Sequence, residues 1–205
     1  MAQIDIETLI GRIAQRCMGA PLPTLIDAYL SAARELCRRS RFYTEEVAIT
    51  TAASDPSYVL APSAAENEII GVRVVRLTIS TNDVRDLTRE AKRRWDDTQP
   101  VNPPDVFDFE LPSTLLLHPT PAGVYTGTAT IAMQPKRGST TLDEDLVLLW
   151  DDAFSLGALA ELQLLPGQPY RNLAQADMDN RMFQDWINKA KSAAAKKFQR
   201  GVTPY

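Results

Sequence analysis

Apolar positions recur along the chain with two different periods, and the changes of period divide it into three stretches. In the first stretch Ile6, Leu9, Ile10, Ile13 and Cys17 fall three or four apart. That spacing puts them on one face of a helix predicted from about Asp5 to Cys17. Asp5 suits its N-cap, because a carboxylate there accepts from the free amides of the first turn. Gly19 and Pro21 end it. A second helix is predicted from about Thr24 to Arg39, with Leu25, Tyr29, Ala32 and Leu36 as its stripe. Arg34, Arg38, Arg39 and Arg41 make its end basic, which complements the helix dipole; contact with an acidic partner is the other reading.

From Arg41 to about Gly138 the period becomes two. Val47, Ile49 and Thr51 alternate, as do Ile70, Val72 and Val74. Leu115 to Leu117 lead into the rigid turn Pro119-Thr120-Pro121-Ala122-Gly123. Tyr125, Gly127, Ala129, Ile131 and Met133 then alternate with polar and small residues, the pattern of a half-buried antiparallel strand. One segment interrupts the pattern. Asp83 to Asp97 carries five basic and five acidic residues, and predicts a short charged helical arm on the sheet edge, with Trp95 capping a hydrophobic seam.

After Gly138 the helical period returns. Asp143 to Leu165 is apolar nearly all round, which predicts burial in its own domain or against neighbouring subunits. Gly157, between Ala153 and Ala160, lets another backbone approach closely and predicts a helix–helix contact. Pro166-Gly167 stops the helix. A last amphipathic helix is predicted from about Leu173 to Phe198, with Ala176, Phe183, Ile187, Ala190 and Ala194 on its stripe. The fold class expected is α+β. Residues 1–40 and 141–205 form one discontinuous helical bundle, and residues 41–140 form a small antiparallel β-sheet or sandwich with the charged arm at about 83–97.

Composition leaves this picture intact: 205 residues, 44% apolar and 23% charged, fit a soluble globular chain with one domain or a domain bearing an insertion. No apolar run is long enough to span a membrane, and no basic-then-apolar leader predicts secretion. Cys17 and Cys37 both fall on apolar helix faces and read as buried free thiols, with a Cys17–Cys37 disulfide as the minor reading. The net charge of −4 disfavours a protein that grips duplex DNA by its phosphates. That small total hides a polarity. Between Thr141 and Tyr170 there are six acidic residues and no basic one, whereas Arg171 to Tyr205 holds seven basic and three acidic.

Catalytic patterns are absent. The single histidine, His118, has no second histidine or acidic orienter nearby and reads as a turn residue. There is no GxSxG elbow, GxGxxG or phosphate-binding loop. Asp143-Glu144-Asp145 and Asp151-Asp152 could offer hard oxygen ligands but lack an EF-hand spacing, and the first cluster suits a helix N-terminus. No enzyme activity, cofactor or metal is expected.

Several phrases, in order, resemble one family. LIDAYLSAARELC, with Ala32, Glu35 and Cys37, is followed by the strand from Phe42-Tyr43 to Ile49. LLLHPTPAGVYTGTATIAMQP makes a strand–Pro-x-Pro–strand hairpin. DLVLLWDDAFSLGALAELQLLPGQPYR is the most specific phrase, and the segment from Asn172 to Lys197 ends in alternating Ala and Lys. The chain resembles the head-to-tail adaptor, or connector, proteins of short-tailed bacteriophages, of the tail tubular protein A type. The charged segment 83–97 has no counterpart in that resemblance.

The resemblance implies a virion protein at the head–tail junction, assembled in the host cytoplasm. It would form a ring of about twelve copies under the portal, carry the tail nozzle or tube below, and let DNA pass without sequence-specific binding. It implies no catalytic residues. A head-to-tail ring needs two different complementary surfaces on each subunit. Asp143, Glu144, Asp145 and Gly157 on one helix, with Arg181 and Lys189 on the other, are the candidate interface residues. The alternative is that the acidic and basic helices attract within one subunit. Lys196, Lys197, Phe198, Arg200 and Tyr205 form a candidate portal-docking tail. Rival readings are a tail-tube terminator or stopper, a nucleic-acid-binding module using Arg34, Arg38, Arg39, Arg93 and Arg94, and an enzyme with an unrecognised carboxylate site.

Overall fold

A computed structural model describes residues 2–96 and 101–199. In chain order the elements are β1 (Gln3–Asp5), a 3-10 turn (Ile6–Thr8), α1 (Gly11–Arg16), α2 (Leu22–Ser40), β2 (Thr44–Thr50), β3 (Ser57–Val59), β4 (Asn67–Ser80), β5 (Asp83–Asp86), β6 (Thr88–Arg89), a second 3-10 turn (Lys92–Arg94), β7 (Val106–Glu110), β8 (Thr114–His118), β9 (Thr126–Pro135), β10 (Thr141–Asp143), α3 (Glu144–Leu162) and α4 (Leu173–Gln199). The fold is mixed α+β, with several antiparallel pairings and, among the described residues, four α-helices. The chain divides into two compact units, 1–43 with 134–205, and 44–133.

The first unit departs from the sequence reading at its start. Ile6, Ile10, Ile13 and Cys17 are buried as the periodicity requires, but no single helix carries them. Gln3–Asp5 is a strand paired antiparallel with β10, and the Ile6 amide donates to Thr140 O at 2.9 Å. Asp5 does cap, but it caps the 3-10 turn: the Glu7 amide donates to its carboxylate at 3.0 Å. Two causes defeat a continuous helix here. The strand partner lies far along the chain, and Gly11, inside the expected helix, costs about 1 kcal/mol relative to alanine.

α2 buries Leu25, Ala28, Tyr29, Ala32, Ala33, Leu36 and Cys37, a stripe at helical spacing. Arg41 closes it in a left-handed conformation, its amide donating to Cys37 O at 2.7 Å. α3 packs against both α2 and α4. The Tyr29 and Phe154 rings meet edge to face at 5.6 Å. Gly157 stands where a Cβ would lie 2.7 Å from the Ala32 Cβ and 3.0 Å from the Phe183 ring. Trp150 meets Trp186 at 5.9 Å. Because Gly157 faces Phe183 and Trp150 faces Trp186, α4 runs back along α3. Asn172 caps α4, accepting from the Gln175 amide at 3.1 Å.

The second unit holds two four-stranded sheets, in the orders β2-β9-β4-β5 and β3-β8-β7-β6. β4 lies against β6 and β7, which joins them. β9 forms where the alternation predicts it, burying Ala129, Ile131 and Met133; Ala132 on its other face is buried too. In β4 the deeply buried set is Ile69, Val75 and Leu77, with Val72 from the opposite face. The β6–β7 pair is parallel, where only antiparallel pairing was expected.

The charged segment 83–97 is not a helical arm. As far as it is described, it forms β5, β6 and the second 3-10 turn. Its charges are strand pairs: Arg76, directly opposite Asp86, clasps it through two N–H groups at 2.6 and 2.9 Å. Arg85 bridges Asp83 at 2.8 Å and Asp105 at 3.1 Å. Cross-strand opposite charges contribute about 0.2–1 kcal/mol each. Val84, Leu87, Ala91 and Trp95 also fall at helical spacing, so the pattern is ambiguous; the extended chain buries Leu87, between β5 and β6, and leaves Val84 exposed.

Two glycines test this packing. Gly157→Ala gains about 1 kcal/mol of helix propensity, but overpacking costs about 1–3 kcal/mol, and the Ala32 Cβ cannot rotate aside. A net loss of stability is expected in urea denaturation. Gly127→Ala in β9 should lose more, about 3 kcal/mol, because its Cβ would sit 2.0 Å from the Arg76 backbone oxygen. A Gly127→Ala protein as stable as wild type would contradict the close β4–β9 approach.

Candidate functional site

The candidate residues named from the sequence lie in the helical unit, and the contacts of its acids show which of them are engaged within the chain. Asp143 ends β10 and is buried, 2% exposed, with its carboxylate accepting from the Gln3 side-chain amide. Burial pushes its carboxyl above the usual range. Its partner is thus inside the chain. Glu144 and Asp145, by contrast, lie exposed in the first turn of α3. Asp151 accepts from the Tyr29 hydroxyl at 2.6 Å; burial, then this carboxylate, drive the phenol well above its ordinary pKa.

α1 acts as a strap over the other helices. Arg12 pairs with Asp152 of α3 at 2.7 Å, and Arg16 with Asp179 of α4 at 2.8 Å. The Asp179 side chain is almost fully buried and also accepts from Gln175 at 3.0 Å. These partners lie 140 and 163 residues away in sequence. Of the aspartates considered as hard oxygen ligands, Asp143, Asp151 and Asp152 serve as internal acceptors. Among the described residues no group of three His, Cys, Asp or Glu side chains could hold a metal.

The basic candidates sit on α4. Arg181 pairs with Asp177 one turn away at 2.6 Å, and Lys189 stands 4.3 Å from the centre of the Trp186 ring. Exposed i,i+4 pairs contribute only about 0.3–0.5 kcal/mol, so Arg181 stays available to a partner. Lys196 and Lys197 are exposed near the end of α4. The Phe198 side chain, and Arg200 and Tyr205 entirely, lie outside the described residues. Since α4 runs antiparallel to α3, the acidic start of α3 lies level with the basic end of α4 in the same chain. The room at Gly157 is likewise used within the subunit, by Ala32 and Phe183.

Periodicity missed two features. In the run Leu146-Val147-Leu148-Leu149-Trp150, Leu146, Val147 and Trp150 are buried, while Leu148 and Leu149 are 72% and 69% exposed. Five consecutive apolar residues in a helix point in every direction, which is the signal that could have found them. Two turns further on, a groove of about 350 Å3 opens between α1, α3 and α4. Leu156, Leu159, Met182 and Trp186 line it, and Arg12 and Arg16 stand on its rim. Nothing local in sequence pairs those arginines with it. A second, polar cleft of about 360 Å3 involves Asp27, Ser31, Arg34, Arg137 and Glu161. Desolvation there pushes the Glu161 carboxyl up; the Ser31 hydrogen bond opposes this, and Glu35 and Asp27 reinforce it.

In the β-rich unit His118 ends β8 with its ring stacked on Trp95, centroids 4.9 Å apart. Trp95 also donates to Glu90 O at 3.2 Å. Among the described residues no helix is long and apolar enough to cross a membrane. The chain matches the protein family described as SU10 adaptor protein over residues 4–204. No curated protein matches it.

Two predictions follow from these environments. Cys17 and Cys37 are free and buried, and burial raises both thiol pKa values. The native protein should therefore not react with a disulfide reagent, and both thiols should titrate once guanidinium unfolds it. Prompt native reaction would contradict this packing. For Glu161 a raised folded pKa means the folded state holds its proton longer, so stability falls as pH rises through the interval between the unfolded and folded values. Glu161→Gln removes that loss. The variant's stability relative to wild type should increase as the pH rises through and above the usual glutamate range, by less than about 1 kcal/mol because the group is exposed to solvent on one side.

Proposed function

The chain belongs to the SU10 adaptor protein family, a phage adaptor and thus a structural component of the virion; from that premise we propose that it forms a ring beneath the portal, joins it to the tail and continues the DNA exit channel. The observation that carries this reading is the family match across residues 4–204. An adaptor of this kind interacts with portal and tail proteins. The finer reading is an adaptor of the short-tailed, tail tubular protein A type, with about twelve copies closing a heterologous ring.

In this reading the helical unit is a bundle that packs between subunits and against the portal. The β-rich unit faces outward or towards the tail nozzle. Portal docking orders the ring, and the ring then presents the tail-binding surface. Glu144 and Asp145 on one face and Arg181 and Lys189 on another steer neighbours into register. Lys196, Lys197, Phe198, Arg200 and Tyr205 reach the portal, with aromatic anchors and cations on one short segment. A net charge of −4 suits a wall past which DNA slides, because it offers no counterion-releasing grip.

Electron microscopy of the chain mixed with portal particles should show a ring stacked on the portal, while the chain alone stays monomeric by light scattering. Portals left bare in excess chain would refute the reading. Deleting Gly201 to Tyr205 should weaken portal binding at least about tenfold, or about 1.4 kcal/mol; unchanged binding removes the tail from the contact.

A further inference from the structure

We draw no further inference here: the strongest candidate, the exposed apolar surface of Met18, Leu22, Leu164 and Leu173 around the α1–α2 and α3–α4 connections of the helical unit, carries nothing because it is an unpartnered apolar face and nothing in the structure shows what covers it.

Discussion

The approach of three helices at Gly157 is the constraint on which the rest of the helical unit depends. One hydrogen in place of a methyl lets α2 and α4 both press on α3. That contact fixes α3's rotation about its own axis. Rotation then decides which apolar residues turn inward and which are left outside. Tyr29 meets Phe154, Trp150 meets Trp186, and Leu148 and Leu149 face outward as the remainder. The outer surface is therefore specified from the interior, because the core admits one orientation of the helix and interiors tolerate little repacking.

Charge plays a secondary part that the sequence hints at only in outline. The acidic start of α3 and the basic end of α4 run at the same level in one chain, and Glu144 and Asp145 stay exposed there. Each exposed pair is weak. The buried Asp179 is different, because its charge is removed from water and needs Arg16 and Gln175. Removing a partner from a buried carboxylate costs several kcal/mol. α1 is short, and it reaches α4 through this buried contact and α3 through the exposed Arg12–Asp152 pair.

Where periodicity was sustained, the sequence was a good guide. α2, α3, α4 and β9 lie close to the predicted spans, since each carries a long run with one dominant period. Where the pattern was short or double, it misled. Val84, Leu87, Ala91 and Trp95 suit either a helix or a strand, and only the partners Arg76 and Asp105 settle the matter in favour of a strand. The stretch from Ile6 to Cys17 shows the right residues buried in the wrong element, because its strand partner Thr141–Asp143 is invisible locally. Among the candidate interface residues, sequence identified types and not directions. Glu144 and Asp145 are open to solvent, while Asp143, their neighbour, is closed in by Gln3. The groove could not be read at all, because it draws on three helices.

The division of the helical unit by the β-rich unit has a consequence for synthesis. α2 finds its packing partner only when α3 emerges, since Ala32 rests against Gly157. At a translation rate of about 5–20 residues per second, that wait is on the order of ten seconds. Throughout it the apolar stripe of α2 has no mate, whereas residues 44–133 are already complete and contain both partners of most of their pairings. The nascent chain thus exposes a sticky helix behind a finished sheet unit. High expression would load that intermediate before any ring could form, so yield should depend on how slowly the chain is made.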